Sequence, residues 1–150
     1  MSFALVATIC AGIFAGAAIY ITFVEHPARV SCGTALALRE FAPSYRRATI
    51  MQAALALVGL FTALEAWSRT WAPELLVSGL ALGIVVPFTL VVMAPTNRRL
   101  LATELDPESA EAAQLLQRWG RLHAVRSVLS GVAFLILLVY LMRARSSPVA

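Results

Sequence analysis

Four apolar runs, 3–24, 48–67, 75–94 and 122–142, are separated by shorter stretches that carry most of the charged residues. Each run is close to the roughly 20 residues that cross a hydrocarbon core of about 30 Å at 1.5 Å per residue. The pattern predicts an all-α chain with one membrane domain, 1–150: an integral membrane four-helix bundle in up-down-up-down order. The first run has no basic leader and exceeds the about 7–15 apolar residues of a secretory signal, so it reads as a retained helix. Between the first two spans, Gly33 and Pro43 act as breakers around a short amphipathic stretch, 34–41, at the membrane edge. His26-Pro27 predicts an end or a kink of the first helix, and Pro87 a kink in the third. Asp106-Pro107-Glu108 reads as a helix start, with Asp106 as the cap. The amphipathic helix it opens, apolar at Ala113, Leu115, Leu116 and Trp119, leads as a cytoplasmic extension into the last span. Ser146 to Ala150 are expected to fray.

The last span is short of uncharged residues. Positions 127–142 supply 16 of them, or roughly 24 Å of helix, so upstream residues are drawn into the membrane edge. Those residues are His123 and Arg126. At about 100° per residue they share one stripe with Trp119 and Ser130. Ionisable groups at that depth are costly unless they face a bundle interior or a wet cavity, which marks a candidate site. The plain alternative is an arginine that snorkels to the headgroups beside an idle histidine. In the first helix Gly12, Gly16, Ile19, Phe23 and His26 fall on one face, and Gly12/Gly16 form a GxxxG pair suited to close helix approach. Gln52, the one amide inside a span, serves either an interhelical hydrogen bond or a substrate contact. Antiparallel helices bring Glu25, His26, Arg46, Arg47, Gln52, Asn97, Trp119, His123 and Arg126 to one membrane face, while the other offers Glu65, Arg69 and Glu74. A pocket there would have apolar walls and few polar groups.

Composition agrees with a bilayer as solvent. The chain is 60% hydrophobic and 13% charged with a mean hydropathy of +0.81, against about 25% charged residues in soluble domains. The net charge of +4 comes entirely from arginine and has no aromatic interleaving, so nucleic acid is not an expected partner. Nine of the 12 arginines lie in 25–47 and 95–126. The positive-inside rule then places those loops in the cytoplasm and both termini outside, with Arg143 and Arg145 pulling the other way. The expected location is a bacterial-type inner membrane. Cys10 and Cys32 would lie roughly 30 Å apart along one helix and are not a disulfide pair.

The segments Phe23-Val-Glu25-His26-Pro27, Pro95-Thr-Asn97-Arg-Arg-Leu100 and Arg118-Trp119-Gly-Arg-Leu-His123-Ala-Val-Arg126 together resemble the anthrone oxygenase-like family of small four-helix membrane proteins. The resemblance covers nearly the whole chain. Fungal members oxidise anthrones to anthraquinones with molecular oxygen, without metal or flavin, so it implies an oxidoreductase of monooxygenase type that needs no cofactor. The expected substrate is a small hydrophobic aromatic or phenol with an acidic C–H or O–H. His26 or His123 would be the catalytic base, Arg126 and Asn97 would stabilise the oxyanion, Trp119 would stack on the rings, and Gln52 would contact substrate. A different class is a metal or haem protein using His26 and His123, with Glu25 as a further ligand. A third is a non-catalytic assembly or transport component, although neither inverted repeats nor midplane polar residues are visible. The expected partners are the lipid bilayer and the small substrate, and homo-oligomerisation is left open.

Overall fold

The computed structural model describes residues 2–146, so the fraying expected at Ser146–Ala150 falls almost wholly outside the described residues. Four helical spans make up the chain: α1 (Ser2–Ser31), α2 (Thr34–Thr70), α3 (Pro73–Leu100) and α4 (Ala110–Ser146). All four are long and apolar enough to cross a membrane, and no strand occurs among the described residues. Two tight turns force antiparallel neighbours. The first turns at Gly33, whose φ of +97° favours glycine, and the second at Trp71 in the left-handed region. α1 packs against α2 and α4, and α3 packs against the same two, which closes the bundle.

The helices run further than the apolar runs alone predict. α1 does not end before Pro27; it widens into a π-helical turn over Ile21–Glu25 and continues as His26–Ser31. α3 does the same over Thr89–Met93 ahead of Pro95. Each wide turn finishes two residues before a proline. The ring there supplies no N–H and would crowd the carbonyl one α-turn back, and an i→i+5 turn relieves that crowding without exposing backbone to lipid. The inserted residue also resets the helical phase by about one position, which lets His26 and Arg29 join Ala18 in the buried set. Pro43, expected to break the chain, sits inside an uninterrupted α2. The amphipathic stretch 34–41 is therefore the start of α2. At Pro87 the α-helical pattern is interrupted at Ile84, close to the expected kink.

The start of α4 also differs. Asp106 caps no helix: its Oδ1 accepts the Glu108 N–H at 3.0 Å in a local turn, and Ser109 Oγ accepts the Ala112 N–H at 3.1 Å. Ser109 is the cap, because short polar side chains before the first helical turn satisfy its free N–H groups.

The packed face of α1 is Ala4, Ala7, Ala11, Phe14 and Ala18, at three- and four-residue steps. The expected glycine face is not the packed one. A Cβ at Gly12 would meet the Phe134 ring at 2.9 Å, but Gly16 has nothing near it, and Ile19 and Phe23 are exposed. Alanine is small enough to give close approach here, so the second glycine is not required.

Two apolar clusters fill the interior. One joins Ala7, Ala11, Phe14, Ala56, Leu75, Leu82, Ala133 and Leu137; the other joins Ile21, Ala37, Phe41, Met93, Leu116 and Trp119. Along α4 the buried residues between Trp119 and Ala133 are His123, Arg126, Ser127 and Ser130. A polar layer thus separates the two clusters.

Candidate functional site

α4 supplies the centre of that layer. Trp119, His123, Arg126, Ser127 and Ser130 are all buried, at 8% exposure or less, as spacings of three and four residues on one helix require. Arg126 does not snorkel outward. Its Nη2 donates to Gln52 Oε1 at 2.6 Å, and its guanidinium carbon sits 5.5 Å from the centre of the Phe14 ring. A buried cation is tolerable when it meets an acceptor and an aromatic face.

His123 is held on two sides. Its ring stacks on the Trp119 indole, 4.7 Å between centroids at 25°, and its Nδ1 lies 3.1 Å from Thr22 Oγ1. Trp119 is itself enclosed by the Phe41 ring edge-on at 5.4 Å, the His26 ring at 5.1 Å and the Arg29 guanidinium 5.9 Å above it. Beside it, Arg29 pairs with Glu25 and, through Nε at 2.7 Å, with Glu40. Ser44 bridges the pair, its Oγ donating to Glu25 at 3.1 Å.

Between these groups is a hollow of about 20 Å³ lined by Phe41, Tyr45, Gln52, Trp119, His123 and Arg126, with Ile21, Glu25 and Ser44 at its edge. That is room for about one water and far below the roughly 300–1,000 Å³ of a drug-sized ligand site. Thr49, Gln52 and Arg126 also border a second, apolar cavity of about 60 Å³ between α2 and α3, walled by Phe14, Ala56, Val85 and Leu90. On the other side Ile21, Glu25, Ser44 and Ala48 are shared with an open groove between α1 and α2. Apart from Arg29 Nε, which is ion-paired with Glu40, three N–H donors on lining residues, Gln52 Nε2, Trp119 Nε1 and Arg126 Nε, have no hydrogen-bond acceptor among the described residues. Buried donors are rarely left so, because each costs about 1–3 kcal/mol. An acceptor-rich ligand would satisfy them.

The nine polar residues expected at one face are not all drawn together. Gln52, Trp119, His123, Arg126 and Glu25 line the hollow, while Arg46 and Arg47 are exposed. His26 does not line it. Its ring packs on Trp119 and borders an outer groove with Pro27, Gly120 and Arg121. Gly120 makes this packing feasible, since a Cβ there would lie 2.6 Å from His26 Nε2. Asn97 is buried behind the wall, donating through Nδ2 to the Tyr45 hydroxyl at 3.2 Å, and reaches the hollow only through Tyr45. Among the described residues no three His, Cys, Asp or Glu side chains gather to hold a metal ion, and Cys10 and Cys32 are both free thiols.

Several contributors are not singled out by sequence. Tyr45 lies seven residues before Gln52, two turns along the same face, a spacing that could have revealed it. Thr22 is one turn before His26 and Ser127 is next to Arg126, but a hydroxyl within an apolar run normally bonds back to its own helix. Arg29 carries no sequence signal beyond its place among the loop charges.

The fold and site together define a membrane-embedded helical bundle with an aromatic-walled polar hollow near one end. The family model described as anthrone oxygenase matches residues 41–136, and the chain belongs to that family. The matched segment carries Tyr45, Gln52, Asn97, Trp119, His123 and Arg126. The chain is similar to the anthrone oxygenase tpcL of Aspergillus fumigatus, 51% identical over 47 residues covering 29% of each chain. It is also similar to the anthrone oxygenase ptaC of Pestalotiopsis fici, 41% identical over 59 residues covering 32% of this chain and 42% of the relative. The chain thus spans less than half the length of either fungal relative in these matches. No solved structure matches it.

Proposed function

We propose that the protein is a membrane oxygenase for a small planar phenolic substrate of the anthrone type, with His123 as the base. The observation that carries this reading is the combination in one hollow of an imidazole with three N–H donors lacking acceptors, on Gln52, Trp119 and Arg126. An anthrone presents a carbonyl oxygen and an acidic ring C–H. Removal of that proton places the electron pair in a conjugated enolate, whose oxygen gains charge as the C–H bond breaks. The donors would meet that oxygen, and Trp119 and Phe41 would flank the rings. Molecular oxygen adds at the deprotonated carbon, and the resulting hydroperoxide loses water to leave a second carbonyl. One anthrone and one O2 give one anthraquinone and one water.

This chemistry needs no cofactor, which is the reading we favour. His26 and His123 pack on a common indole and only His123 lines the hollow, so the pair is a poor bidentate ligand set for a metal or haem. Glu25 is engaged with Arg29. His26, outside the hollow, supports Trp119, and Asn97 orients the Tyr45 hydroxyl. The hollow must widen to admit three fused rings, and the apolar cavity of about 60 Å³ beside Gln52 and Arg126 gives part of that room. The arginine-rich loops support a cytoplasmic position for this end of the bundle, and a bacterial-type inner membrane is the location this reading takes.

The test is oxygen uptake by the protein in lipid vesicles with anthrone, corrected for oxidation by empty vesicles. His123→Ala should lower turnover by about 10²-fold or more, the usual contribution of a general base. Oxidation unchanged in a folded H123A protein would remove the mechanism.

A further inference from the structure

We infer that Thr22 is a positioning residue that fixes the tautomer of His123. The inference rests on the reading of His123 as the base and deepens it. Thr22 Oγ1 is 3.1 Å from His123 Nδ1 and 2.7 Å from Ser127 Oγ, and Ser127 Oγ is 2.9 Å from the Ala18 carbonyl oxygen. A fourth and longer contact, 3.4 Å, joins Ser127 Oγ to the His123 carbonyl.

Each hydroxyl has one hydrogen to give. A carbonyl only accepts, so Ser127 must donate to Ala18. The Thr22–Ser127 bond then needs the Thr22 hydrogen, because the Ser127 hydrogen is already committed. With its hydrogen spent, Thr22 Oγ1 only accepts, and the contact to Nδ1 is a bond only if Nδ1 carries the proton. Every other assignment leaves one of the three short contacts without a hydrogen. Neutral His123 is therefore the Nδ1–H form, with its lone pair on Nε2. No side chain among the described residues bonds Nε2, and the ring borders the hollow. The chain Ala18–Ser127–Thr22–His123 thus turns the basic nitrogen away from α1 and leaves it for substrate, as the partner of a catalytic histidine does elsewhere.

The π-turn of α1 makes this contact part of the fold. Thr22 lies inside Ile21–Glu25, where the altered phase sends its hydroxyl across to α4 rather than back along its own helix.

The experiment compares Thr22→Val, Thr22→Ser and His123→Ala in vesicles, and records the 15N spectra of the histidine rings in each protein, with His26→Gln separating the two rings. Thr22→Val keeps the shape and removes the hydroxyl. It should lower kcat for anthrone by about tenfold or more with KM unchanged, and shift His123 from the Nδ1–H toward the Nε2–H form. Thr22→Ser should retain both rate and tautomer. A wild-type ring protonated on Nε2, or a T22V protein that keeps both its kcat and its Nδ1–H ring, overturns the inference even where H123A is inactive. An active H123A removes the base itself, and the positioning role falls with it.

Discussion

At the scale of single residues, the buried guanidinium is the most demanding group in the molecule. Arg126 is 8% exposed, and among the described residues its one side-chain hydrogen bond is to Gln52 Oε1. Gln52 is 1% exposed and sits one helix away. Removing the acceptor leaves a buried cation short of a partner, which costs more than a neutral bond is worth. Gln52→Leu, close in size and unable to accept, should destabilise the protein by about 1–3 kcal/mol in a denaturant titration in detergent. On the proposed reading it should also lower anthrone turnover, because one of the donors on the residues lining the hollow goes with it. Unaltered stability would mean that Arg126 finds other acceptors or moves to the lipid edge. Gln52 thus combines a helix contact, visible in the structure, with a remaining N–H that a ligand could use.

At the scale of helices, the sequence makes the number, order and apolar cores of the spans legible because the bilayer imposes one length on each of them. It also makes legible the stripe of α4, because His123, Arg126 and Ser130 follow from helix periodicity alone. The helix ends are less legible. Pro27 reads as an end or a kink under rules learned in water, but in this bundle π-turns carry α1 past Pro27 and α3 past Pro95 and rotate the residues beyond them. That rotation is why His26 turns toward Trp119 and an outer groove while Thr22 meets His123, a swap of roles that periodicity could not supply. The choice of packing glycine escapes the sequence for a similar reason, since a small-residue spacing does not say which face meets a neighbour. Gly79 is the sharper case: a Cβ there would meet Ala63 Cβ at 2.9 Å, and a methyl on an alanine has no rotamer into which to retreat. Gly79→Ala should force α2 and α3 apart and cost about 1–3 kcal/mol. Gly16→Ala, with nothing within 4 Å of its added Cβ, should stay within about 0.5 kcal/mol of the parent. Alanine raises helix propensity at both sites alike, so equal losses for the two variants would show that contact between α2 and α3 does not set the response.

At the scale of the whole molecule, orientation decides what the hollow can meet. α2 and α4 each run for 37 residues, or roughly 55 Å, so both must project beyond a hydrocarbon core of about 30 Å. The turn between α1 and α2 and the segment before α4 lie at the end of the bundle that holds the hollow, together with most of the arginines. If that end is cytoplasmic, a substrate made in the cytosol arrives at the same face as the polar groups, while oxygen, which partitions into lipid, can come from the apolar cavity beside Arg126. The thiols give a direct reading of this arrangement, because Cys32 is exposed in the turn at the hollow's end and Cys10 is buried. A membrane-impermeant maleimide added to intact cells should leave the protein unlabelled, and the same reagent on inside-out vesicles should label it at Cys32. A Cys32→Ser variant should then remain unmodified in both, which assigns the signal. Labelling from outside intact cells would reverse the orientation and place the hollow away from the cytosol, so that its substrate would have to be delivered from the far side or through the lipid.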